Sequence, residues 1–362
     1  MPLFFFLLFL VLVVGNSYMI TRLLQGFPII PTWGTILVWG LLFLPIVLFI
    51  ATFCLNKEVM SYSLMRFGYL IGSSWLFFVL YMVIGLLIID LFRIWFFIPY
   101  SSSIIVLCIT ILLLSWGYKN YTNPKINTVD IRLNKHFEGG RLKVVAISDV
   151  HLGYGTTREQ LSSYIRKIEE QNPDMIMICG DLIDNSVVPV CQEKMSETLS
   201  LLNAPLGIYM VPGNHEYISG IDECQKLLSE TNIKLLRDTV IALPNGIQII
   251  GRDDRFNRQR LSLQELMNLS DSNSPVIVMD HQPYEVELFS QLGGDLQFSG
   301  HTHNGQIWPI SIITDFLFSQ SYGYRLWGDT HVYVSSGLSL WGPPFRIGTD
   351  SELVVFNIYS EN

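Results

Sequence analysis

The chain has 362 residues, half of them hydrophobic and 15% charged, with a formal net charge of −8. That length allows two domains, and that composition excludes a disordered or low-complexity protein. The charge is uneven: residues 1–127 carry Arg22, Lys57, Arg66, Arg93, Lys119 and Lys125 against only Glu58 and Asp90, so the first third is near +4 and the remainder near −12. An acidic second part disfavours nucleic acid as a partner, because such affinity rests on cationic contacts.

Four apolar stretches of the first part, at 3–20, 34–54, 67–92 and 101–117, are long enough to cross a bilayer, which takes about 20 residues of helix. Trp33, Trp39, Trp95, Trp116 and Tyr118 fall near their ends, where an aromatic belt would place them. The first stretch lacks a basic leader and a small-x-small cleavage site, so it reads as a retained span and not as a signal peptide. With four spans, Lys57, Arg66, Lys119 and Lys125 share the side of the second part, and Arg22 and Arg93 lie opposite. The positive-inside rule then puts the second part in the cytoplasm. Five scattered cysteines (Cys54, Cys108, Cys179, Cys191, Cys224) form no CxxC pair and suggest no disulfide framework. A short linker at 118–127 joins a helical membrane anchor, 1–127, to a second domain, 128–362.

Within 128–362, short β-branched runs alternate with amphipathic stretches, which predicts α/β layers. The run 141–149 is a predicted strand, followed by a helix with Leu161, Tyr164, Ile165 and Ile168 on one face and Thr157 at its N-cap. Asn245-Gly246 suits a type I′ hairpin turn. Further predicted strands end at CGD, PGNHE, DHQP and SGHTH. Polar residues therefore collect at the C-terminal ends of apolar strands, where α/β sheets bind ligands.

Five segments, SDVHLG, CGDLIDN, PGNHEY, DHQP and SGHTH, hold five of the seven histidines; only His136 and His331 lie elsewhere. Imidazoles and carboxylates gathered in one crevice indicate a metal or a proton relay. A polar surface loop would explain any one segment, but not all five together. The order D-x-H, G-D, G-N-H-E, H and G-H-x-H resembles the calcineurin-like metallophosphoesterases, in particular a membrane-anchored bacterial branch, over about residues 140–350. The resemblance implies two packed mixed sheets flanked by helices and a dinuclear metal centre. It implies Asp149, His151, Asp181 and His303 on one metal, and Asp181, Asn214, His281 and His301 on the other, with Asp181 shared. His215 would stand beside the substrate as a catalytic group, and Glu216 would orient a ligand. The family often has glycine at the position of Asn304; asparagine tolerates the same left-handed backbone better than most residues.

Two cations about 3.5–4 Å apart neutralise a phosphoryl group and orient in-line attack. Imidazole and oxygen ligands without thiolate suit manganese, iron, zinc or nickel. Arginines that could hold an anionic group are Arg252 and Arg255 in GRDDRFNRQR and Arg346 in GPPFRIG, although a solvated loop explains the first cluster equally well. The apolar segment 307–327 reads as core packing or, alternatively, as a membrane-facing lip.

The resulting expectation is an integral protein of the bacterial inner membrane with a cytoplasmic phosphohydrolase domain. Its partners would be the lipid bilayer and a phosphorylated substrate, with a lipid-linked or cell-envelope phosphodiester or pyrophosphate leading. A phosphomonoesterase, a phosphoprotein phosphatase or a cyclic-nucleotide phosphodiesterase shares the core chemistry. A receptor or scaffold with an inactive domain would be expected to have lost ligands, and none is missing.

Overall fold

Both faces of the central strands are buried, which is why they read as unbroken apolar runs. Val145, Ile147, Ile176 and Ile178 pack on one side against Leu161, Tyr164, Ile165 and Ile168. Val144, Ala146, Met175, Met177 and Cys179 point to the other side and meet Ile249, Ile277, Phe298 and Phe356. Period-two alternation thus builds a helix–sheet–sheet sandwich with one core on each face of the first sheet. The computed structural model describes residues 2–27, 30–55 and 60–360; the side chains of 2–9, 11 and 53, and Lys57 of the orientation count, lie outside the described residues.

The strands are β1 (Lys125–Leu133), β2 (Arg141–Ile147), β3 (Met175–Cys179), β4 (Ile208–Val211), β5 (Ile233–Leu235), β6 (Thr239–Ala242), β7 (Gln248–Gly251), β8 (Val276–Met279), β9 (Leu296–Ser299), β10 (Gly323–Trp327), β11 (Thr330–Val334) and β12 (Glu352–Ser360). One six-stranded sheet has the order β1-β12-β2-β3-β4-β5 and the other β10-β11-β9-β8-β7-β6. β2 to β5 run parallel, as do β7, β8, β9 and β11, while β12, β6 and β10 pair antiparallel to β2, β7 and β11. The expected α/β architecture of two mixed sheets is present. The β6–β7 hairpin also forms, but its turn is not type I′. Gly246 alone takes positive φ, at 88°, and Gly246 N–H bonds Leu243 O across Pro244. Proline fixes φ near −65°, which starts a different turn.

The chain divides into two units. One runs to Lys119 and includes Gly342–Phe345; the other takes Asn120–Trp341 and continues from Arg346. The boundary therefore lies before 127. The fourth helix continues to Thr122 and β1 begins at Lys125, pairing with β12 along its whole length. Pro124, which cannot extend a helix, marks the change; the polar composition of 118–127 concealed a helix end and a strand start.

In the first unit, α1 (Pro2–Gln25), α2 (Thr32–Cys54), α3 (Tyr62–Phe92) and α4 (Ser103–Thr122) cover the four expected stretches. Thr32–Thr52, Tyr62–Phe92 and Tyr100–Thr122 are long and apolar enough to cross a membrane. Met19 and Ile20 of α1, Val79, Met82 and Leu86 of α3 and Val106 of α4 form a buried cluster, with Val38, Trp39, Leu42 and Phe43 of α2 packed against it. Asp90 is not isolated: it accepts from Arg22 Nε at 2.7 Å, from Tyr18 Oη and from Arg93. Buried Asn16 is likewise satisfied, donating to Leu42 O and accepting from Trp75 Nε1. Tyr69 Oη accepts from Gly342 N at 2.6 Å.

In the second unit, α5 (Arg158–Glu169) buries the four predicted residues, and Thr157 caps it by accepting from Gln160 N.

Candidate metal centre

Parallel strands deliver their C-terminal ends to one side, and each candidate ligand sits within a few residues of such an end. Asp149 and His151 follow β2, Asp181 follows β3, Asn214 and His215 follow β4, His281 follows β8, and His301 and His303 follow β9. Five of these residues take left-handed φ: Asp149 54°, His151 48°, Asp181 52°, His301 70° and His303 51°. Such a conformation costs a non-glycine residue about 1–3 kcal/mol and persists only where the surroundings enforce it. It turns each chain sharply off its strand and aims the side chain into the crevice. Gly180 prepares the Asp181 turn at φ 77°, where a Cβ would lie 2.5 Å from His281 Nδ1. Asn304 also adopts the left-handed region (φ 50°, ψ 37°), as its residue type allows.

The side chains converge in three overlapping groups: Asp149, His151 and His303; His151, Asp181 and His215; and Asp181, His281 and His301, each with ligand atoms within 4.8 Å of one another. His151 Nε2 and His303 Nε2 are 3.2 Å apart, and His303 Nε2 is 3.4 Å from Asp149 Oδ1. Asp181 Oδ2 lies 3.9 Å from His151 Nε2 and 3.1 Å from His281 Nε2, so this one oxygen stands between the two sets. All of this is buried, apart from partly exposed His301. Asn214 Oδ1 is buried with no hydrogen-bond partner, a costly state for an acceptor unless something else binds it. His281 Nδ1 is 2.8 Å from Cys179 O, which makes it the donor and leaves the Nε2 lone pair for the crevice. Imidazole nitrogens, carboxylates and an orphaned amide oxygen are the donor set of a divalent-metal pair, and the residues fit that group.

Other residues hold these in place. Asp184 Oδ1 lies 3.4 Å from His151 Nδ1 and 3.2 Å from His215 Nδ1, and Asp184 O is 2.9 Å from the same His215 nitrogen. Burial raises the Asp184 carboxyl, but the hydrogen bonds from His151 and His215 win and hold it well below the usual carboxylate range. Burial lowers His215, and the charges of Asp181 and Asp184 more than offset this, leaving it at about 9. Glu216 accepts three backbone N–H bonds, from Asp181 (2.9 Å), Ile183 (2.9 Å) and Gly213 (2.7 Å), which pins the two loops that carry Asp181 and Asn214. The orienting role expected of Glu216 is therefore exerted through the backbone. In sequence Asp184, just after the GD motif, reads equally as an orienting residue or as an ordinary loop residue; the structure brings it to His151 and His215.

Two of the three arginines do not face a substrate. Arg346 is fully buried and donates to the carbonyl oxygens of His303 (2.8 Å), Ser336, Gly337 (3.2 Å) and Ser339 (2.9 Å). Burial pulls it down to about 10, still cationic at neutral pH. It braces the ligand loops from beneath and is not at a cleft rim. Arg252 is also buried, held by Asp280 (2.7 Å) and Glu285, and Arg260 joins the same carboxylates. These two side chains are taken up by an internal ion-pair cluster, so of this basic run Arg255 and Arg258 are the exposed members. Arg255 is exposed, with its guanidinium 4.2 Å over the Tyr284 ring. Tyr284 in turn lies 5.0 Å from Phe318, whose ring is 6.2 Å from His301.

Comparison with known proteins agrees with this geometry. The model of the calcineurin-like phosphoesterase family matches residues 142–305. An uncharacterized metallophosphoesterase of Campylobacter jejuni is 33% identical over 265 residues, 72% of this chain and 69% of that protein. The chain belongs to the calcineurin-like phosphoesterases. An uncharacterized metallophosphoesterase of Helicobacter pylori is 31% identical over 251 residues, covering 68% of this chain and 66% of the relative. A zebrafish (Danio rerio) transmembrane protein with metallophosphoesterase domain is 30% identical over 273 residues, 70% of this chain and 62% of the relative. The chain thus spans about two thirds of the length of such relatives. Membrane-crossing helices ahead of a calcineurin-like phosphoesterase domain make this a membrane protein.

Proposed function

We propose that this calcineurin-like phosphoesterase is a membrane-anchored, two-metal hydrolase of phosphate esters, acting on a phosphodiester or pyrophosphate of a lipid-linked or cell-envelope substrate. The observation that carries the reading is the position of Asp181 Oδ2 between the two ligand sets, 3.9 Å from His151 Nε2 and 3.1 Å from His281 Nε2. Asp149, His151, Asp181 and His303 would hold one ion, and Asp181, Asn214, His281 and His301 the other. When bound, such a pair supplies charge neutralisation to the phosphoryl oxygens and activates the attacking water.

The chain's own residues do the rest. In its cationic form His215 donates a hydrogen bond to a phosphoryl or leaving oxygen. Asp184 orients its ring through Nδ1 and so leaves Nε2 as the donor. Neutral Asn214 limits the negative charge that an anionic substrate must approach. Arg255, stacked on Tyr284 and exposed, is the one of the three candidate arginines placed to meet a second anionic group. The membrane-crossing helices support a substrate that resides in the membrane, since a soluble phosphate ester would not require them.

Hydrolysis of an aryl phosphodiester and an aryl phosphomonoester by the detergent-purified chain, with manganese added, tests the chemistry. Turnover that depends on metal and disappears in Asp181→Ala is the expected result, with the diester preferred. Failure of a folded, metal-loaded chain to act on either ester or on lipid-linked diphosphates would refute the reading. We also assign the catalytic domain to the cytoplasmic side of a bacterial inner membrane, on the excess of Lys and Arg on that side of the spans. Bright fluorescence from a C-terminal fluorescent-protein fusion that folds only in the cytoplasm is expected, and a dark fusion would reverse the orientation.

A further inference from the structure

The helix Ile310–Leu317 begins seven residues after His303, and its polarity is inverted. At 100° per residue, Ile310, Ile312, Ile313, Phe316 and Leu317 share one side, and Ser311, Thr314 and Asp315 share the other. In a soluble domain the apolar side would face the core. Here it faces outward: Ile313 is 57% exposed, Leu317 66% and Phe316 86%, and none of the helix's residues is buried. The less exposed residues are the polar Ser311 and Thr314. Ser311 packs on the ligand loop so closely that a Cβ on Gly305 would lie 2.4 Å from its Cα. The polar groups are satisfied locally: Thr314 Oγ1 donates to Ser311 O at 2.8 Å, and Asp315 accepts from Ser321 Oγ. Trp308, half exposed, precedes the helix.

We propose that Trp308 and the helix Ile310–Leu317 form a second membrane contact, inserted in the headgroup region of the bilayer that the spanning helices cross. Isoleucine, leucine and phenylalanine on one side with an indole at the end is the composition of an interfacial helix. The bilayer is the occupant because the chain is already attached to it. α4 ends at Thr122 and β1 starts at Lys125, so two residues, spanning about 7 Å when extended, separate a membrane-crossing helix from the catalytic domain. That domain cannot leave the surface, and an outward apolar helix on it meets lipid at high effective concentration. The contact adjoins the metal centre: Phe318, the next residue after the helix, has its ring 6.2 Å from His301, and Thr302 Oγ1 donates to Ser321 O at 2.6 Å. The metal centre would then stand beside the headgroup layer, where a phosphate on a lipid is presented.

The test uses the full chain in lipid nanodiscs, with Cys54, Cys108 and Cys191 replaced by alanine and one nitroxide at Ile313→Cys, Phe316→Cys or, as a control, Glu230→Cys. Collision with oxygen and with a water-soluble nickel chelate is measured by power-saturation electron paramagnetic resonance. The labels at 313 and 316 should be reached by oxygen several-fold more readily than by the chelate, with the reverse order at 230. Equal access of the chelate to all three sites would overturn the proposal. Exclusion of both reagents with spin–spin broadening would also overturn it, in favour of a second copy of the chain. The measurement requires no turnover, so it can fail while the hydrolase reading stands, and the reverse.

Discussion

Replacing Arg346 by methionine removes a charged fork while keeping most of the side-chain volume. Nη1 serves His303 O, and the two hydrogens of Nη2 serve the carbonyls of Ser336, Gly337 and Ser339, so about three full bonds disappear. Hydrogen bonds to a charged group are worth about 1.5–3 kcal/mol each. Part of that is returned because no guanidinium has to be desolvated. A net loss on the order of 4 kcal/mol remains, which for a domain of this size lowers Tm by roughly 8–16 °C. The carbonyl of His303 is among those released, so metal retention should fall as well. Arg346→Lys should rescue only part of the loss, since an ammonium cannot reach four carbonyls in a fork. The assay is apparent Tm at a fixed scan rate in detergent, with metal content by mass spectrometry on the same sample. If the methionine variant melted within about 2 °C of wild type and only its KM rose, the bracing role would be wrong and Arg346 would be reading substrate after all.

Asp181→Ala should lose both ions, because its carboxylate lies between both ligand sets, whereas Asn214→Ala should weaken one; metal content after dialysis distinguishes the two patterns. Glu216→Gln puts an amide NH2 against one of three backbone N–H donors and should cost about 2 kcal/mol, read as a lower Tm and weaker metal retention. Arg255→Ala should leave Tm unchanged and raise KM for a substrate with two anionic groups several-fold, with little effect on a small aryl ester. Equal effects on both substrates would remove Arg255 from recognition.

Much of the site was legible because its residue types are rare and grouped. Five histidines within five short segments mark the candidate site without knowledge of any contact. The face of α5 was equally plain, since Leu161, Tyr164, Ile165 and Ile168 recur with the period of a helix and Thr157 suits its cap. Asp184 was less so: an aspartate in a loop has no distinguishing pattern until His151 and His215 are brought to it from other loops.

By itself, then, the sequence determined the apolar helices long enough to cross a membrane, the α/β layering and which residues gather at the candidate metal centre. These follow from local hydrophobicity, period and side-chain chemistry, which need no partner to be read. Only the tertiary structure decided what faced what. Arg252 and Arg346 look like candidates for an anion in sequence, yet carboxylates and carbonyls from distant segments enclose them. The segment after His303 reads in sequence as core or as a membrane-facing lip; in the fold Ser311 sits against Gly305 and the apolar side turns outward. A periodic pattern defines the faces of an element, but which face is buried depends on surfaces that remote parts of the chain supply.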